Sequence, residues 1–391
     1  MPLNTSDSLP MPGTGRTAIK IGMYDKDNRM QVGGNMGIAV YSPGDVAKMN
    51  TRFVKILEAV RSDVQRQGEK IEPLSEDKCR QYLQELSEVG SEAYSMLPEE
   101  ACNYITTMDA DEGQQNIGLD FTLSPEMAFL WEMIYPGKPG LGDYKEFWGF
   151  RYPIGHLYWR ILERPKIRLR EGIFASAHTE LVYSNKEIER LEILLKEVQE
   201  NLHLTFTVQR LEKVTFQEPL DAVNLLAYFN GEEFVYGVVH FACHCTNPKD
   251  AEDTDAQLIL TAQQQSIVVA KGRFLARKKY GFRKLPLVFL NACESATPLH
   301  MLQAFDFPRI LLDFGAGGVI ATVCTIPDNF ASAFANEFYK RLLKKALVNA
   351  PANIGEALLE TRLHFMKQYN NPLGLAYGLY AVSNQQLLLS S

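Results

Sequence analysis

The chain has 391 residues, 46% of them hydrophobic and 22% charged, enough for two ordinary domains or one large α/β domain with a smaller partner. Its net charge of −7 argues against nucleic acid as the main partner, and no apolar run is long enough to span a bilayer. Six cysteines at this length do not make a disulfide scaffold, and the N-terminus lacks the basic and apolar regions of a secretory signal, so a reducing cytoplasm is the expected setting.

Residues 1–17, rich in Pro, Gly, Ser and Thr, read as a flexible tail. Short strands follow at Ala18–Met23 and Met36–Tyr41. From Pro43 to about Gln67, Val46, Met49, Phe53, Ile56, Leu57 and Val60 recur at helical spacing, and a second helix is expected from Ser75 to about Tyr94. No repeat of 20–50 residues is present, so a solenoid is not expected. This N-terminal region, 18–117, is followed by an aromatic-rich segment, 118–165. It opens with a strand at Leu119 and gathers Phe129, Trp131, Tyr135, Phe147, Trp148, Phe150, Tyr152, Tyr158 and Trp159. Such a cluster reads as a hydrophobic joint between subdomains.

From 166 to 391 strand and helix alternate. Strands are expected at Ile167–Ala175, Leu204–Leu211, Phe234–Cys243, Leu285–Cys293, Gly318–Thr325 and Leu375–Val382. Helices are expected at Asn185–Leu202, Pro219–Tyr228, Gln263–Tyr280 and Leu302–Gly315. Asp328 is positioned to cap a helix to about Lys344, and Asn353 one to about Tyr369. Alternation of this kind implies a mainly parallel sheet with helices on both faces.

Two of these strands end in chemistry. Val238-Val239-His240-Phe241-Ala242-Cys243 leads to His244, and Leu287-Val288-Phe289-Leu290-Asn291-Ala292 leads to Cys293. The carboxyl edge of a parallel sheet is where ligands bind, and a thiol and an imidazole delivered there can form a nucleophile–base pair. Alternation along the strand puts His240 and His244 on one face, and Cys243 and Cys245 on the other. A metal site built from Cys243, His244, Cys245 and Cys293 is the competing reading, but structural zinc uses Cys-x2-4-Cys pairs and the chain has none. No metal or cofactor is therefore expected. The basic stretch Lys271–Lys284 reads as a solvated helix face. The acidic loop Asn247–Asp255 follows the histidine and would rim a cleft.

These residues resemble a CHAT-domain protein of the caspase–separase clan of cysteine proteases. In that family one strand ends in His-Gly and a later one in Ala-Cys-Glu-Ser/Thr-Ala, matched here by His244 and by Ala292-Cys293-Glu294-Ser295-Ala296. Further matches are Leu130-Trp131-Glu132, Gln257–Leu260, Phe314–Ile320, Ile326-Pro327-Asp328 and Phe338-Tyr339. The family's glycine after the histidine is Cys245, and Cys324 stands where tryptophan is usual.

The resemblance implies a caspase-like α/β fold with an N-terminal pseudo-catalytic or regulatory half. It implies a cysteine endopeptidase with Cys293 as nucleophile, His244 as proton shuttle, and the amides of Cys293 and Cys245 as oxyanion donors. Asp328 is the candidate for lining S1 and selecting Arg or Lys. The implied partners are one dedicated protein substrate, such as a pore-forming effector, and an activating protein or ligand, in bacterial antiphage defence or cell death. A non-catalytic adaptor is the rival, supported by Cys245.

Overall fold

The computed structural model describes residues 17–24, 29–32, 38–40, 43–68, 70–112, 117–123, 129–158, 162–202, 205–216, 220–246, 257–262, 265–276, 281–292, 306–347 and 351–389. Most of the expected tail and all of the loop 247–255 lie outside these residues. The chain packs as two compact units. One comprises 1–63, 72–163 and 353–385, the other 64–71, 164–352 and 386–391.

In the first unit the strands Thr17–Tyr24, Ile117–Leu123, Ile154–Tyr158 and Tyr377–Tyr380 run parallel as successive neighbours. Arg29–Val32 and Ile38–Val40 extend the first of them antiparallel. Helices Pro43–Gln65 and Glu76–Ser95 form where the apolar spacing predicts, the second capped by the Ser75 hydroxyl. A third helix, Glu99–Glu112, is an addition that the sequence pattern did not suggest. The aromatic segment forms part of this unit's core. Phe121 stacks on Trp131 at 4.0 Å, Phe129 meets Trp131 edge-on, and Tyr135, Phe147, Trp148 and Phe150 are buried.

A buried charge cluster joins the unit's separate segments. Glu132 Oε1 lies 3.0 Å from Arg362 Nη2 and 2.9 Å from His156 Nε2. Arg362 also donates to the carbonyls of Gly149 and Tyr377. Arg362 belongs to helix Ile354–Tyr369, which Asn353 caps through the Glu356 amide as the sequence suggests. With the pairing of Tyr377–Tyr380, this cluster ties segment 353–385 into the first unit although it follows 164–352 in sequence.

In the second unit the strands Thr207–Arg210, Gly172–Ala177, Val238–Thr246, Leu287–Ala292 and Gly318–Thr322 run parallel in that order. Hairpin Gln257–Ala262/Gln265–Ala270 pairs antiparallel with the end of the Val238 strand. Helices cover both faces. His240 and Phe289 meet Tyr339 of helix Asp328–Leu347, which packs on Ser184–Leu202. Phe241 and Phe174, on the opposite face, meet Phe229 of Ala222–Asn230. The predicted mainly parallel α/β sheet with helices on both sides is thus the observed one.

Two local differences have physical causes. The expected strand over 167–175 is two strands, Lys166–Arg168 and Gly172–Ala177, because Arg170 (φ 56°) and Gly172 (φ 127°) turn the chain between them. The expected helix at 263–280 begins as strand Gln265–Ala270, followed by a short helix, Lys271–Ala276. Ile267 and Val269 alternate inward there, which a period of two satisfies and a helix does not. Gly237 opens the central strand. A Cβ there would sit 1.7 Å from the Arg168 carbonyl oxygen, so only glycine fits. Among the described residues no helix is long and apolar enough to cross a membrane.

Removing one partner of a buried ion pair leaves the other charge without compensation. Arg362→Ala is expected to cost about 3–5 kcal/mol, measured by chemical denaturation. Glu132→Leu combined with Arg362→Met should recover much of that loss. A wild-type midpoint for Arg362→Ala would contradict the role given to the cluster.

Candidate active site

The Val238–Thr246 strand is the centre of the second unit. Val238, Val239, His240 and Phe241 are fully buried, as expected of a strand covered on both faces. Its parallel pairing with Leu287–Ala292 is continuous, from Leu287 opposite Val238 to Ala292 opposite Cys243. The residues that follow these two in sequence are Cys293 and His244. Cys293 itself lies outside the described residues.

His244 is partly exposed and precedes the strand end by two residues, since the strand continues to Thr246 rather than stopping at Cys243. The extension comes from the hairpin: Ile259 pairs with His244, Leu258 with Cys245 and Gln257 with Thr246. Cys245 therefore occupies a ladder position opposite Leu258. Cys243 points away from His244 by alternation and is completely buried, and burial pushes its thiol well above the usual range. A thiol so placed stays protonated and serves neither as nucleophile nor as a metal ligand beside His244.

His240 faces the same side as His244 and is fixed in a buried polar cluster. Its Nε2 lies 2.7 Å from Glu187 Oε1, and its Nδ1 lies 3.2 Å from the Tyr339 hydroxyl. Asn291 Nδ2 donates to the same Glu187 oxygen at 2.8 Å. Glu187, from helix Ser184–Leu202, thus bridges the His244 strand and the strand that leads to Cys293. Burial, with the Glu187 charge nearby, holds the Tyr339 phenol well above its usual range, so it remains a neutral hydroxyl.

Asp328 is the first residue of helix Asp328–Leu347 and does not cap it in the expected manner. Its Oδ2 accepts the Tyr183 amide at 2.9 Å, and the Val182 amide also contributes, so the carboxylate serves the turn before helix Ser184–Leu202. Burial raises its pKa above the ordinary carboxylate value. The Tyr183 amide opposes that shift, the Glu187 charge adds to it, and His244 and the Val182 amide oppose it. Asp328 and His244 are thereby electrostatic neighbours.

Two residues that sequence reasoning passed over also reach this place. His178 directly follows strand Gly172–Ala177, its amide donating to the Ala242 carbonyl at 2.8 Å. Its ring packs edge-to-face on His244 with centroids 4.5 Å apart. Glu180 Oε2 lies 4.0 Å from His244 Nε2, and the Glu180 amide donates to His178 Nδ1 at 3.2 Å. Burial lowers the His178 pKa, with His244 adding to the shift and Glu180 opposing it. The available signal was the run Phe174-Ala175-Ser176-Ala177-His178, a third parallel strand ending in an ionisable residue at the same sheet edge.

Residues 166–377 match the family model of the CHAT domain, more than half of the chain, and the chain belongs to that family. A stretch of 103 residues, 26% of the chain, is 36% identical to a probable protease of Vitiosangium sp. (strain GDMCC 1.1324). The match spans only 13% of that protein's length. Among solved structures, the Arg-specific cysteine proteinase gingipain R of Porphyromonas gingivalis aligns with a TM-score of 0.47 at 11% identity, over 96% of this chain and 79% of that one. Separase of Saccharomyces cerevisiae, in its complex with securin, aligns with a TM-score of 0.41 at 11% identity, over 90% of this chain and 23% of that one.

Glu187→Ala leaves the Asn291 amide without its buried acceptor and removes the carboxylate beside the His240 ring, and is expected to cost about 3 kcal/mol. Tyr339→Phe, which removes one hydroxyl, should cost only about 1 kcal/mol. Urea denaturation of the two variants measures the difference. Equal and negligible losses would show that the cluster does not hold the two strands.

Proposed function

We propose that this protein is a cysteine endopeptidase in which Cys293 is the nucleophile and His244 the proton shuttle. The observation that carries the reading is the register of the two central strands, whose last paired residues, Ala292 and Cys243, immediately precede Cys293 and His244. Membership of the CHAT domain family supports it. In the reaction the Cys293 sulfur bonds to the scissile carbonyl carbon and its proton passes to His244. His244 returns that proton to the departing amine as the C–N bond breaks. Water then hydrolyses the acyl-thioester. The amides of Cys293 and Cys245 are the proposed oxyanion donors, each contributing on the order of 3 kcal/mol in other hydrolases.

The substrate class proposed is a single dedicated protein in a bacterial defence or cell-death response, with cleavage under the control of an activating protein or ligand. The rival reading, a non-catalytic adaptor, draws on one observation: Cys245 replaces the family's glycine and sits in a strand ladder opposite Leu258. Cys293→Ala should abolish cleavage while leaving the thermal midpoint unchanged, and His244→Ala should slow turnover by about 100-fold or more. Both are read with purified protein on a quenched peptide library. Wild-type cleavage by either variant removes the dyad assignment.

Asp328 is proposed to select a basic P1 side chain, since a half-buried carboxylate left facing an apolar group is penalised. Fluorogenic peptides differing only at P1 provide the measurement. The wild type should favour Arg over Leu, and Asp328→Ala should lose that preference. A stability loss of about 1–2 kcal/mol should accompany it as the Tyr183 and Val182 amides lose their acceptor. A wild-type preference for apolar or acidic P1 residues contradicts the assignment and leaves Asp328 as a brace for the turn.

A further inference from the structure

We propose that His178, Glu180 and His244 form a binding site for a zinc-class divalent transition-metal ion, and that the ion, when bound, withdraws the His244 imidazole from proton transfer. The second half rests on the function proposed above; the first does not.

The three side chains each present one ligand atom within 4.8 Å of the others. Around a tetrahedral zinc with bonds near 2.1 Å, donors stand about 3.4 Å apart, so closing this set needs shifts on the order of 1 Å. The residue best able to make them is Glu180, whose side chain is 80% exposed on a turn and already lies 4.0 Å from His244 Nε2. The other two are positioned by the sheet. His178 is buried and tied to the central strand by its amide bond to Ala242, while His244 lies within that strand. Two imidazoles and a carboxylate are the ligand types of open zinc sites, in which water takes the fourth position. Imidazole also selects for zinc, nickel or copper over calcium or magnesium, which prefer all-oxygen shells. In this structure His178 Nδ1 accepts the Glu180 amide at 3.2 Å, so ligation by His178 replaces that hydrogen bond as the Glu180 turn shifts.

This set differs from the one the sequence suggested. Cys243 and Cys245 face away from His244, and Cys243 is sealed in the core, so a thiolate site there is not supported. The ligands come instead from the ends of two neighbouring parallel strands, one of which supplies the proposed catalytic base. An ion held there takes the lone pair with which His244 would accept the thiol proton.

Titration of the full chain with zinc chloride, followed by calorimetry, tests the site, and cobalt(II) absorption reports its ligands. The wild type should bind one ion per chain. Glu180→Gln, an exposed change that leaves packing intact, and His178→Gln should each weaken binding by at least about tenfold. Cys293→Ala should bind like the wild type, and the cobalt spectrum should lack a thiolate charge-transfer band. Failure of the wild type to bind, unchanged affinity in Glu180→Gln and His178→Gln, or loss of binding in Cys293→Ala would each overturn the site. In a peptide-cleavage assay zinc should inhibit at the concentration at which it binds, with recovery on adding EDTA. Full activity at saturating zinc overturns the inhibitory half. A chain that binds zinc through these residues but cleaves no peptide refutes the protease reading and leaves the metal site standing.

Discussion

The parallel pairing of Val238–Cys243 with Leu287–Ala292 is the constraint on which the account of this protein depends. Side chains alternate strictly along a strand, so a slip of one residue would move every group to the opposite face. Three features hold the register. The strands are buried on both sides, Gly237 fixes where the first begins, and Glu187 reaches across to His240 on one strand and Asn291 on the other. A buried carboxylate with those two partners fits only one alignment. The cluster therefore specifies the geometry near the candidate dyad more than it contributes net stability, in keeping with the modest worth of buried polar groups once their desolvation is counted.

The surroundings of His244 differ from those of His240 in a way that separates structure from chemistry. His240 is inaccessible and held between Glu187 and Tyr339. His244 is partly open, with an imidazole on one side, an exposed carboxylate 4.0 Å away and the Asp328 charge within electrostatic reach. A proton shuttle needs access and neighbours that respond to its charge, and only His244 has both. The same openness makes it the ring that a metal ion could capture.

Much of this was written in local sequence pattern. The two central strands are legible because uninterrupted β-branched and aromatic runs mark buried parallel strands, and because histidine and cysteine follow them. The long helices are legible from their spacing, and Asn353 from its capping chemistry. What escaped depends on tertiary contacts. The Gln265–Ala270 strand is a short edge element whose neighbours decide its state. Asp328 looked like a cap for its own helix, but its carboxylate turns to amides 145 residues earlier in the chain. His178 and Glu180 follow a strand whose one sequence signal is the ionisable residue at its end, and the sheet order is what puts them beside His244.

The central claim is that the thiol following the Leu287 strand is activated by the imidazole of the Val238 strand. The most direct measurement is covalent labelling by a peptidyl electrophile with a basic P1 residue, with the modified residue located by mass spectrometry and the rate followed against pH. The account predicts a single adduct on Cys293, formed rapidly near neutral pH and slowed strongly in His244→Ala. An adduct on another cysteine, or a rate unchanged by that substitution, would contradict it.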